Sequence, residues 1–178
     1  MRFLTDEEAR AWSSKRDPPF LDERGKPLRW PAKFQVLRFI YTDATSGRLF
    51  WLSQRLVASL EYWEEALLWV VLSGIWPSSE NTHLYYRIRQ SYGDQRHLDQ
   101  APAHLALRHE GEDLTTLLHL CMMFGWEALL FTGHDYARVF VSHDEYGEIA
   151  VPEGNSFDNL RSALESAGVK VETLRSAV

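Results

Sequence analysis

One cysteine, Cys121, is all the thiol that 178 residues provide. No internal disulfide can form, and such cysteine usage fits a reducing, cytoplasmic setting. Long apolar runs are missing too. The most hydrophobic stretch, "ALLWVVLSGIW" at 66–76, follows Glu64 and Glu65 and is about half as long as a membrane-spanning helix. No membrane association is therefore expected. The opening "MRFLTDEEARAW" has neither a long apolar core nor a small-residue cleavage pattern, so it does not read as a signal peptide. Phosphate-cradling GxGxxG and GxxxxGK[ST] patterns are absent, as is the GxSxG of a nucleophile elbow. No cofactor is expected. No repeat or Gly/Ser linker divides the chain, which reads as one domain over 1–178 with a subregion at 1–55 holding a helix and a hairpin.

Aromatic side chains, by contrast, are plentiful: seven Trp, seven Tyr and nine Phe. Some must fill the core, and the surplus suggests an aromatic surface patch of the kind found at binding sites. The net charge of −6 is unevenly spread. Residues 1–60 carry 11 Lys/Arg against 7 Asp/Glu, whereas 61–178 carry 8 against 18 and all seven histidines. Such a field can steer a partner of opposite sign, which here means a basic protein. Nucleic acid is a poor default partner, since an acidic surface repels phosphates.

Thr5 and Glu8 have capping-box spacing, predicting a helix over 6–15. A hairpin is expected at 19–30, with its turn at 23–26. The β-forming "KFQVLRFIYTD" (33–43) predicts a strand, "ATSG" a turn, and "RLFWL" (48–52) a second strand. Helices are predicted at 59–74, with Ser59 as its cap, and at 80–92, stopped by Gly93. The section 94–112 reads as a connection containing one short strand. A helix over 113–126 would be capped by Asp113 and ended by Gly125. Strands follow at 126–132, 137–143 and 148–151, then a helix at 157–167 and a strand at 169–174. Irregular alternation with hairpins predicts an α+β fold, with a mixed, mostly antiparallel sheet and packed helices.

The stretch "FVSHDEYG" (140–147) lines up Ser142, His143, Asp144 and Glu145, the residue types of nucleophilic and acid–base chemistry. Neighbours in a strand point to opposite faces, so Ser142 and His143 are not expected to reach one another. Asp144, Glu145 and Gly147 have turn chemistry, and a hairpin tip is the expected outcome. The His134–Asp135 and His143–Asp144 dipeptides fall at strand ends, and His104 and His109 miss the one-turn interval of a zinc helix, so no metal site is expected. Cys121 lies among Leu and Met on a helix face and should be buried and inert. His119, on another face of that helix, has no evident partner.

In the predicted helix 80–92, Leu84 and Ile88 mark the core side. Tyr85, Arg89 and Tyr92 share a stripe that Arg96 would extend. Tyr and Arg are enriched where proteins meet.

Two functional expectations follow. The first is a non-enzymatic protein-binding module, of the kind by which immunity proteins and antitoxins occlude basic toxins. Its contacts would be Tyr85, Arg89, Tyr92, Arg96, Asp144 and Glu145. The second is an enzyme or a phosphate- or carboxylate-binding protein whose pocket, from 83–143, is lined by Arg87, His97, His104, His109, His134 and His143, with Arg89 and Arg96 as further arginines.

Overall fold

The computed structural model describes residues 1–15, 30, 34–60, 63–74, 82–132, 137–152 and 158–174. Its strands are β1 (Arg2–Leu4), β2 (Phe34–Ile40), β3 (Glu65–Leu72), β4 (Ala103–Leu107), β5 (Glu127–Thr132), β6 (Arg138–Val141), β7 (Tyr146–Pro152) and β8 (Lys170–Leu174). All eight join one sheet in the order β1-β4-β3-β5-β6-β7-β2-β8, and every pairing is antiparallel. Five helices complete an α+β domain: α1 (Asp6–Ser13), α2 (Ser46–Ala58), α3 (Thr82–Ser91), α4 (Gly111–Met123) and α5 (Asp158–Ser166). No helix among the described residues is long and apolar enough to cross a membrane. The hairpin expected at 19–30 lies outside the described residues, apart from Trp30.

Period-two alternation sorts the sheet residues onto two buried faces. On one, Leu37, Phe39, Leu68, Leu130, Val139 and Ile149 pack beneath Leu52 and Leu56 of α2 and Leu114 and Leu118 of α4. On the other, Leu67, Trp69, Leu105, Leu129, Phe131 and Phe140 meet Ala9 and Trp12 of α1. β3 is therefore covered on both sides, which explains its unbroken apolar sequence.

That strand corrects the helix expected at 59–74. A short apolar run cannot be told from a buried helix by periodicity alone, and here both faces of a central strand needed filling. The neighbouring expectation fails in the opposite sense. "RLFWL" is helical, because Thr45 caps α2 by accepting a hydrogen bond from Arg48 N–H. Leu49, Leu52, Ser53, Leu56 and Val57 then form its buried stripe. Ser59 closes α2 instead of opening a helix. The capping box of α1 forms as spaced, with Thr5 N–H donating to Glu8 Oε2 at 2.8 Å and Glu8 N–H to Thr5 Oγ1 at 3.2 Å. α4 starts earlier than expected, at Gly111, so Asp113 sits in its first turn and does not cap it.

Candidate functional site

α3 presents to the core the face expected outside. Tyr85 and Arg89 are fully buried, whereas Leu84, expected to mark the core side, is 44% exposed. The Arg89 guanidinium donates to Tyr85 Oη (2.7 Å), Ala101 O (2.9 Å) and Asp94 Oδ1 (3.0 Å), and its Cζ lies 4.6 Å from the Phe3 ring centre. Asp94 is delivered by the turn after α3, where Gly93 has φ +80° and Asp94 N–H bonds Arg89 O at 3.1 Å.

Tyr85 Oη also lies 2.6 Å from His104 Nε2, while His104 Nδ1 lies 3.1 Å from Leu68 O. A carbonyl can only accept, so Nδ1 carries the proton and Nε2 accepts from tyrosine. Burial favours this neutral form and pushes the His104 pKa down to about 3. The Tyr85 hydroxyl, both His104 ring nitrogens and the two terminal Arg89 nitrogens are thus consumed inside the domain, while Arg89 Nε is buried without a hydrogen-bond partner.

Of the other members of the expected stripe, Tyr92 is half-buried and Arg96 is exposed. Tyr92 hydrogen-bonds Asp113 and meets the Phe3 ring at 6.2 Å. Arg96 donates to Phe3 O at 2.8 Å and pairs with Asp94. Together these side chains clamp edge strand β1 against α3 and α4. The arithmetic of the stripe was right, but its direction was reversed. A tyrosine ring and an arginine stem offer more surface to bury than Leu84, and each polar tip found a partner.

The tip of the β6–β7 hairpin is a turn at 142–145. Ser142 N–H bonds Tyr146 O, Glu145 N–H bonds Ser142 O, and Glu145 takes φ +60°, the left-handed position closing a three-residue loop. Gly147 sits instead in β7, where the Phe39 ring covers its α-carbon. Ser142 is 1% exposed. Its hydroxyl and His143 Nδ1 both turn to Glu127 Oε1, at 3.5 and 2.9 Å. Asp144 and Glu145 are exposed.

The histidines of the alternative pocket do not converge. His97 is exposed and edges onto Tyr86 at 6.0 Å. His109 is exposed in the single turn Arg108–Glu110. His104 is core, His143 belongs to the hairpin, and His134 lies outside the described residues. No group of three or more His, Cys, Asp or Glu side chains is placed to hold a metal ion among the described residues. Cys121 is buried, and desolvation pushes its thiol pKa up to about 12.

Arg87, from that set, opens onto a cleft. About 490 Å3 in volume, the cleft lies between α3, the start of α2 and one face of α4. Leu84, Ile88, Leu120 and Met123 supply its apolar lining, while Arg87, Ser46 and His119 supply polar groups. Ser46 Oγ lies 3.2 Å from His119 Nε2, and the His119 ring meets Phe50 edge-on at 5.5 Å. Partial burial lowers the His119 pKa, opposed by a hydrogen bond that the ring donates to the Ser46 backbone. A second cleft, about 390 Å3, borders Trp69 and Asp99, but its one cation, Arg10, is held by Asp6 at 2.7 Å. No family model, curated protein or solved structure matches the chain. Function must therefore be argued from the cleft itself. The sequence pointed to Arg87 but left His119 without a partner and passed over Ser46, because "ATSG" read as a turn and the pair spans 73 residues.

Proposed function

We propose that the protein is a cytoplasmic binder of a small carboxylate with an apolar tail, held in the cleft between α2, α3 and α4. One observation carries this reading: Arg87, an exposed guanidinium, stands beside an apolar-lined cavity of about 490 Å3. Small-molecule sites combine that range of volume with a largely apolar wall and few polar groups. The tail would cover Leu84, Ile88, Leu120 and Met123, and Arg87 would take the carboxylate as a charge-assisted pair. Calorimetric titration with octanoate tests it. Saturable binding is expected, weakened roughly three- to tenfold by Arg87→Ala, a modest factor because the guanidinium is exposed. Absence of saturable binding, or equal affinity in the variant, would count against the reading.

A second reading, a basic protein partner, draws on a different feature. Phe50 and Leu84 are exposed at 39% and 44%, and apolar anchors of this kind suit a protein contact. The acidic excess of residues 61–178 would speed the approach of such a partner at low salt. The cleft reading is preferred because Arg87, with no ion pair among the described residues, stands at an apolar cavity and so specifies a ligand chemistry.

A further inference from the structure

We propose that Ser46 and His119 form an acyl-transfer site in this cleft, cleaving carboxylic esters whose acid product is the ligand type assigned above. The inference rests on that binding reading and extends it from holding a carboxylate to generating one.

The geometry is that of a nucleophile and its base. Ser46 Oγ and His119 Nε2 stand 3.2 Å apart, the upper end of hydrogen-bond reach for such a pair. Met123 Sδ, a much weaker acceptor, lies 3.7 Å from the same hydroxyl. Unlike Ser142 and Cys121, which are buried, Ser46 is exposed at the cleft. His119 is half-buried, and burial lowers its pKa, which favours the neutral imidazole that a base must be. Phe50, edge-on to the ring, restricts its rotation.

The third ingredient is a place for negative charge. Thr45 caps α2, so Ser46 and Gly47 occupy the first turn of a 13-residue helix. N–H groups there precede the intrahelical ladder and point outward. Gly47 has no heavy atom within 4 Å of where a β-carbon would stand, so the start of α2 is uncrowded beside Ser46. The N–H of the residue after a nucleophilic serine is a recurrent oxyanion donor.

The steps balance without a cofactor. Ser46 Oγ adds to the ester carbonyl carbon as its proton passes to His119 Nε2, and the carbonyl oxygen becomes an anion beside Gly47 N–H. Collapse breaks the acyl–oxygen bond, and the departing alkoxide takes the proton from His119. Water then adds to the acyl-serine, giving its proton to His119. The tetrahedral species expels Ser46 Oγ, which is reprotonated, and the free carboxylic acid ionises and meets Arg87.

The test uses the full chain with a fluorophosphonate probe, mapping the adduct by peptide mass spectrometry, alongside p-nitrophenyl butyrate hydrolysis. The adduct should fall on Ser46, disappear in Ser46→Ala, and form at least tenfold more slowly in His119→Gln, with circular dichroism unchanged. The rate should rise with pH through a midpoint below 6.5. No adduct, an adduct on another serine, or an equal rate in His119→Gln would overturn the proposal. Octanoate binding without labelling would leave the binding reading standing and remove this one; loss of both would remove the cleft altogether.

Discussion

Acidification should destabilise this protein well before its carboxylates titrate, and His104 is the reason. In the fold its Nδ1–H faces Leu68 O, its Nε2 accepts from Tyr85, and Arg89 lies just beyond. A second proton on that ring would leave Tyr85 with no acceptor at Nε2 and place a cation in the core near Arg89. The folded pKa accordingly falls to about 3 from an ordinary 6.5. Between those values the unfolded chain binds a proton that the folded one refuses. Stability from this group is thus full above pH 6.5 and declines as pH falls toward 3. Between neutral pH and 4.5 this amounts to roughly 2–3 kcal/mol. With a urea slope near 2 kcal/mol per molar, the midpoint should drop by about 1 M. His119 adds a smaller effect of the same sign. Asp94 and Glu8 have lowered pKa values and act mainly below this window. Urea titrations of wild type and His104→Gln at pH 7.5, 6.5, 5.5 and 4.5 isolate the contribution. His104→Gln should be less stable at neutral pH, yet lose much less on acidification. Parallel losses in the two proteins would refute the buried neutral histidine.

The strand glycine and the lone thiol offer further tests. A β-carbon at Gly147 would stand 2.2 Å from Phe39 Cζ and 3.0 Å from Phe140 O, so Gly147→Ala should cost about 1–3 kcal/mol in denaturant unfolding as the ring is displaced. An unchanged midpoint would contradict that packing. Cys121 should react slowly with thiol reagents in the native protein and quickly in denaturant, and Cys121→Ser should destabilise by about 1–3 kcal/mol. Rapid labelling of the folded chain at neutral pH would show the thiol to be accessible.

Local signals in the sequence were legible where the chemistry was local. Thr5 with Glu8 marks the start of α1, and Gly93, Gly125 and Gly168 stand just past the ends of three helices with positive φ. Those residues act on the backbone beside them, so no tertiary knowledge is needed. The swapped assignments of α2 and β3 had a different origin. "RLFWL" is as apolar and β-prone as many strands, and "EALLWVVL" carries no alternation because both its faces are covered. Only the sheet order, which places β3 between β4 and β5, decides such a segment. The face of α3 was reversed for a related reason. Tyr85 and Arg89 are polar in sequence, and the partners that permit their burial, His104, Asp94, Ala101 O and Phe3, come from four other places in the chain. Ser46 and His119 were hidden in the same way, since they meet only once α2 and α4 pack.

Selective methyl labelling of methionine reads the cleft directly, because the chain has three: Met1, Met122 and Met123. Met123 lines the cavity, Met122 is buried at 4% exposure toward Ser53, and Met1 packs near Glu110. Titration with octanoate should move the Met123 methyl resonance along a saturable curve, leave Met1 fixed and shift Met122 only slightly, with Arg87→Ala weakening the curve. A Met123 signal that stays in place at millimolar octanoate, or moves no more than that of Met1, would contradict ligand binding between α2, α3 and α4.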